Sequence, residues 1–263
     1  MPFDVGSMVR TVGRRVLPPS IRNMLRLVRQ PERYAYFGPP FSFHKDGMAT
    51  IHRALFREDQ AFVAAYDESM KAAAWDGSWG HADPEWRMYI ACWAANQVAH
   101  LGGDFAECGV YRGGLSRTVM HYIGFSTMTD RRYWLLDTFE GIPTDQVDAE
   151  VLHRHTYPDS WAEVSEVFKN QPNARLVRGR IPETLSQVKT DRVCFVSIDM
   201  NVAAPERAAV EFFWPRLVPG GIVLIDDYGW SGHEAQRQAF DEFARRCGRA
   251  VLALPTGQGL LIK

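Results

Sequence analysis

"FAECGVYRGGLS", residues 105–116, is the stretch whose reading decides the fold. It opens as an apolar run suited to a buried strand. It then turns into glycine where a helix can begin, with one acid, Glu107, at the turning point. Downstream, the same alternation repeats. "YWLLDTF" (133–139), "ARLVRG" (174–179), "RVCFVSIDM" (192–200) and "GIVLIDD" (221–227) read as strands. Helical periodicity separates them, at 114–123, near 160–169, in the short "PETLSQV", at 205–217 and at 233–247. The end of the sequence, "AVLALPT" and "GLLIK", reads as a hairpin. Strands alternating with helices imply an α/β fold, a mostly parallel seven-stranded sheet with helices on both faces. The near-continuous apolar strands agree with burial on both sides.

Upstream of residue 90 the chain reads as helical and irregular, with no strand. Helices are expected over 58–72 and 84–100, with Pro84 suited to a first turn, and "PERYAYFGPPFSFHKDG" is expected to be an ordered loop. The expected division is therefore a helical N-terminal extension or substrate cap over 1–89 and the α/β domain over 90–263. Between Asp4 and Glu32 there is no acid, while Arg22, Arg26 and Arg29 share a helical face. That face suits a docking helix with solvated arginines, or peripheral contact with a membrane.

The 263 residues carry a net charge of −1, so no global field points to nucleic acid. Hydrophobic residues make up 46% and charged residues 23%, as in ordinary globular proteins, and no apolar run is long enough to span a bilayer. Cys92, Cys108, Cys194 and Cys247 are scattered without a CxxC pair, the usage of a cytoplasmic protein with reduced thiols.

Four of the strands end in acids: Glu107, Asp137, Asp199 and the pair Asp226–Asp227. Ligands of open parallel sheets bind outside the carboxyl ends of the strands, so these acids converge on one cleft. Neither G-x-G-x-x-G nor G-x-x-x-x-G-K-[ST] is met, and Glu107 would repel a pyrophosphate. An acid beside a glycine turn suits a cation instead. S-adenosylmethionine has an ammonium and a sulfonium for such acids, a ribose diol for Asp137, and no phosphate.

Three motifs then carry a resemblance. "ECGVYRGG" is similar to the E-x-G-x-x-x-G form of the first methyltransferase motif. "LLDTFEGIP" (135–143) resembles D-[ST]-F-[ED]-G-[LM]-P, and "PRLVPGGIVLIDDYG" (215–229) resembles a fifth-strand signature. Together, from about residue 90 to 247, they resemble the macrocin O-methyltransferase family. The resemblance implies a class I methyltransferase (Rossmann-like) fold with a helical N-terminal cap. It implies S-adenosylmethionine held by Glu107, Gly109, Tyr111, Gly113, Ser116, Asp137, Thr138, Phe139, Gly179, Arg180 and Asp199. It also implies a divalent metal, usually magnesium, on Asp199, Asp226 and Asp227, an oxygen-only set that suits a hard cation.

Asp199 and His233 are the candidates to take the proton of a hydroxyl acceptor. His153 and His155 lie where a substrate lid is usual, and Tyr228 and Trp230 where an aromatic wall would stand. At the fourth strand the family reads I-D-x-D-x-Y. Here Asn201 replaces the second acid and Ala203 the tyrosine, so a ligand at 201 would be a neutral carbonyl. The implied activity is O-methylation of a sugar or other polyhydroxylated natural product or glycan, by a homo-oligomer. A nicotinamide-dependent oxidoreductase and a catalytically silent cofactor-binding scaffold are the alternatives.

Overall fold

The computed structural model describes residues 39–72, 83–146 and 157–263. The arginine-rich N-terminal stretch, His153 and His155 lie outside the described residues. Residues Ser42–Lys263 form one compact unit. Its central sheet has seven strands: β3 (Asp104–Cys108), β4 (Tyr133–Asp137), β5 (Ala174–Arg178), β6 (Val193–Ile198), β7 (Leu217–Ile225), β8 (Leu252–Ala253) and β9 (Gly259–Ile262). Their spatial order is β5-β4-β3-β6-β7-β9-β8. The first five are parallel, and β9 joins β7 antiparallel, with β8 at the edge. From β3 the chain winds outward through β4 and β5, then returns to lay β6 on the other side of β3. The order reverses between β3 and β6, and the crevice that binds ligands in such sheets opens there.

Side-chain alternation divides the core in two. Phe105, Leu135, Phe195 and Leu224 face one layer, which contains α1 (Gln60–Ala72), α2 (Glu85–Val98), α3 (Gly114–Tyr122) and α4 (Trp161–Phe168). Ala106, Leu136, Val196 and Val223 face the other, against α5 (Ala203–Phe213) and α6 (Glu234–Arg246). The strands are buried on both faces, which is why they read as continuous apolar runs. Among the described residues no helix is long and apolar enough to cross a membrane.

Two elements differ from the sequence reading. A hairpin, β1 (Phe43–Lys45) paired with β2 (Met48–Thr50), stands where no strand was expected. Its turn holds Asp46 at φ 52° and Gly47 at φ 72°, the left-handed pair that a two-residue hairpin loop needs. Three-residue strands are too short to show a period, so the Asp-Gly pair was the available signal. Strand β7 also begins at Leu217 rather than 221, because Leu217 already pairs with Val193. It ends at Ile225, opposite Gly259, which leaves Asp226 and Asp227 in the turn beyond.

Candidate active site

The carboxyl ends of β3, β4, β6 and β7 open into a cavity of about 440 Å³. Glu107, Gly109, Tyr111, Asp137, Thr138, Phe139, Gly179, Arg180, Asp199, Asp226, Asp227, Trp230 and His233 all line it. Gly113 and Ser116 lie behind the lining. Gly113 starts α3 in the left-handed region, where a Cβ would meet the Phe168 ring at 2.5 Å. Ser116 is fully buried beneath the turn.

Glu107 is 2% exposed, and its Oε2 has no hydrogen-bond partner. Burial pushes its carboxyl well above the usual range; Ser116 opposes the shift, and Asp137 and Asp226 add to it. A buried acid with one oxygen left without a partner on a cavity wall is a place for a cationic ligand. The turn above it is braced by Asp137. Oδ2 of that residue accepts from the Val110 and Tyr111 amides at 2.6 and 2.8 Å, and Oδ1 from the Phe139 amide at 2.7 Å. The single Thr138 hydroxyl proton goes to the Gly141 carbonyl at 2.7 Å, so the 3.3 Å approach of that hydroxyl to Asp137 Oδ1 leaves an acceptor position open.

Gly109 has φ 90°, and a Cβ there would lie 1.7 Å from the Asp199 carbonyl oxygen. The β3 turn and the β6 turn are thus in backbone contact, reinforced by Asp199 N–H donating to the Cys108 carbonyl at 2.8 Å. That contact brings the turn after β3 beside the acids. Asp199, Asp226 and Asp227 each place an oxygen within 4.8 Å of the others. Burial, then Asp226, raises Asp227 to about 7; burial, Asp226 and Asp227 raise Asp199 well above normal. Arg87 opposes both shifts, and the oxygen-only chemistry of the three acids fits a hard divalent ion.

His233 stands at the N-terminus of α6, its Nδ1 2.8 Å from Gln236 Nε2 and 3.6 Å from Asp227 Oδ2. Trp230 walls the cavity; Tyr228 does not, since its ring packs in the second core layer and its hydroxyl donates to Asp241 at 2.5 Å. Asn201, at φ 60°, donates its side-chain amide to the Tyr157 hydroxyl at 3.2 Å.

Four further residues complete the surroundings of the acids, and the sequence reading missed all of them. Arg87 in the first turn of α2 donates to Asp226 at 2.5 Å and to Asp46 at 2.6 and 2.8 Å. Gln258 donates to the other Asp226 oxygen at 3.0 Å. Glu206, 2% exposed in the first turn of α5, accepts the Met200 amide at 3.1 Å and so fixes the loop behind Asp199. Burial, with Asp227 adding to it, lifts Glu206 from an ordinary 4.5 to about 8.

The native state therefore holds a proton on Glu206 that the unfolded chain releases above 4.5. The stability tied to this proton is present below that value and is lost as the pH rises to about 8. Glu206→Gln is expected to raise stability by on the order of 1–2 kcal/mol at pH 8.5 and to leave it unchanged at pH 4.5. Thermal unfolding of both proteins at the two pH values checks this. An equal effect at both would remove the titration of Glu206 as its cause.

Comparison with known proteins agrees with this geometry. Residues 87–250 match the family model of the macrocin O-methyltransferases. The 8-demethyl-8-(2,3-dimethoxy-alpha-L-rhamnosyl)-tetracenomycin-C 4'-O-methyltransferase of Streptomyces olivaceus is 31% identical over 158 residues, 56% of this chain and 59% of its own. The mycinamicin III 3''-O-methyltransferase of Micromonospora griseorubida is 30% identical over 160 residues, 56% of this chain and 62% of its own. The chain thus spans about three fifths of the length of these relatives. Among solved structures, the O-methyltransferase NovP superposes with a TM-score of 0.58 at 23% identity, covering 67% of this chain and 79% of that one. A calicheamicin methyltransferase gives 0.55 at 16% identity, covering 76% and 91%. Both share the α/β class I methyltransferase fold expected from the strand–helix alternation. With more than half its length matched by the family model, this chain belongs to the macrocin O-methyltransferase family.

Proposed function

We propose that the protein is an S-adenosylmethionine-dependent O-methyltransferase that acts on a hydroxyl of a sugar or another polyhydroxylated molecule, with magnesium at the acid cluster. One observation carries the reading. A single cavity holds Glu107, whose Oε2 has no hydrogen-bond partner, under an amide-rich turn and, beside it, three carboxylates suited to a hard cation. The relative named for the 4' oxygen of a rhamnosyl-tetracenomycin supports a glycosidic acceptor.

In this reading Glu107 receives the cofactor's ammonium, and the open position on Asp137 Oδ1 receives a ribose hydroxyl. Gly179 and Arg180, at the end of β5, border the adenine. Asp199, Asp226 and Asp227 would hold the cation, whose charge would supply the acidification of a neighbouring acceptor hydroxyl. The acceptor oxygen displaces the sulfonium in one step: the C–O bond forms as the C–S bond breaks. The hydroxyl proton passes to Asp199 or His233, the two groups placed at the cluster for it. Trp230 and Tyr157 wall the acceptor side and exclude water.

Incubation with methyl-labelled S-adenosylmethionine and a panel of glycosylated polyhydroxylated acceptors tests the proposal. Label is expected in an acceptor, with transfer lost on chelation and restored by magnesium. Cofactor binding without transfer to any acceptor would favour the silent scaffold. Transfer indifferent to chelator would remove the metal from the reading.

A further inference from the structure

The Arg87 side chain reaches two of the three acids, Asp226 and Asp227, from outside the parallel sheet's own turns. We propose that Arg87 is a resident counter-cation of the acid cluster, anchored by Asp46, and that a divalent cation binding at the cluster competes with it. The inference rests on the metal reading above and adds to it what controls the site's affinity.

The guanidinium divides its donors unequally. Nε and Nη2 go to the two oxygens of Asp46, at 2.6 and 2.8 Å, while Nη1 alone goes to Asp226 at 2.5 Å and stands 3.8 Å from Asp227. Two bonds on one side and one on the other allow Arg87 to release Asp226 while Asp46 keeps it in place. Asp46 is suited to that task. It is 6% exposed, in the left-handed hairpin turn, and Gly47 beside it leaves room for the Trp230 ring. That ring in turn lies against the guanidinium, its centroid 5.3 Å from Cζ. Asp226 has both oxygens engaged, by Arg87 and Gln258. Among the described residues the Asp199 side chain makes no hydrogen bond. A cation that ligates all three acids must therefore compete with Arg87 for Asp226, and the strength of Arg87's tie to Asp46 sets how much that costs.

Two substitutions move the competition in opposite directions. Arg87→Gln removes the rival charge and is expected to tighten manganese(II) binding about tenfold. Asp46→Asn weakens the anchor, leaves Arg87 to the cluster, and is expected to weaken manganese binding about threefold. The double variant is expected to match Arg87→Gln, because Asp46 acts through Arg87. Manganese titration followed by electron paramagnetic resonance reads the free ion without any turnover, and circular dichroism verifies folding of each protein.

Tighter binding in one variant and weaker in the other supports the proposal, as does binding by Arg87→Gln where the wild type binds nothing. Unchanged affinity, or a loss in both single variants, makes Arg87 only a brace and overturns it. If neither the wild type nor Arg87→Gln takes manganese, the metal reading fails and the proposal with it. Should Arg87→Gln not fold, Asp46→Asn decides: weaker binding supports the proposal, and equal or tighter binding overturns it.

Discussion

Asp199→Asn is expected to lower methyl transfer about a thousandfold while leaving S-adenosylhomocysteine affinity within about threefold. The substitution preserves shape and removes one charge. Asp199 follows β6 directly, with an oxygen within 4.8 Å of Asp226 and Asp227, and burial and those two acids already hold its carboxyl well above normal. Arg87 offsets part of this crowding of like charges, and the proposed function assigns the rest to a bound cation. On the proposed function, an amide at 199 would cost the cation an anionic ligand and the acceptor hydroxyl one of its two proton acceptors. In the proposed reading Glu107 receives the cofactor's ammonium, so binding of the product cofactor is expected to be spared. Initial rates with labelled cofactor, paired with calorimetry, separate the two effects. A loss of transfer smaller than about tenfold would take Asp199 out of the metal and proton-transfer roles.

Gly109→Ala is expected to abolish cofactor binding and to cost the fold about 3–5 kcal/mol. The argument is steric and independent of the chemistry. At φ 90° a side chain is strained, and the new Cβ would lie 1.7 Å from the Asp199 carbonyl oxygen and 2.5 Å from its carbon. Both neighbours are backbone, and neither can move alone. Gly109 N–H is bonded to the Leu136 carbonyl at 2.9 Å, and Asp199 N–H to the Cys108 carbonyl. Relief requires β3 and β6 to separate at the switch point, which opens the turn over Glu107 and displaces Asp199 together. Chemical denaturation and calorimetry measure the two losses. Retained binding in a protein of native stability would show that the β3 and β6 turns do not meet as described.

The strand ends were legible because doubly buried strands write themselves as apolar runs, and an acid at the end of such a run stands out. Glu107, Asp137, Asp199, Asp226 and Asp227 were found that way, and all line one cavity. Arg87 and Asp46 were not legible. They lie 41 residues apart, and Arg87 lies 139 from Asp226, so only tertiary packing reveals their partnership. Arg87 falls in the segment 84–100, which was read only as a helix. Glu206 was hidden differently, as an ordinary acid in the first turn of a helix, where the macrodipole alone would justify it. Its burial behind Asp199 depends on the α5–β6 packing. Gly113 and Ser116 were expected to touch the cofactor; they line no part of the cavity and shape the turn from behind.

The most direct test is calorimetric titration of the wild-type protein with S-adenosylhomocysteine, with NADH as the rival ligand. One-to-one binding of S-adenosylhomocysteine at micromolar concentration, lost in Glu107→Leu, with no heat from NADH, is the expected result. Binding of NADH in its place would contradict the reading of the glycine turn as the seat of a cationic nucleoside.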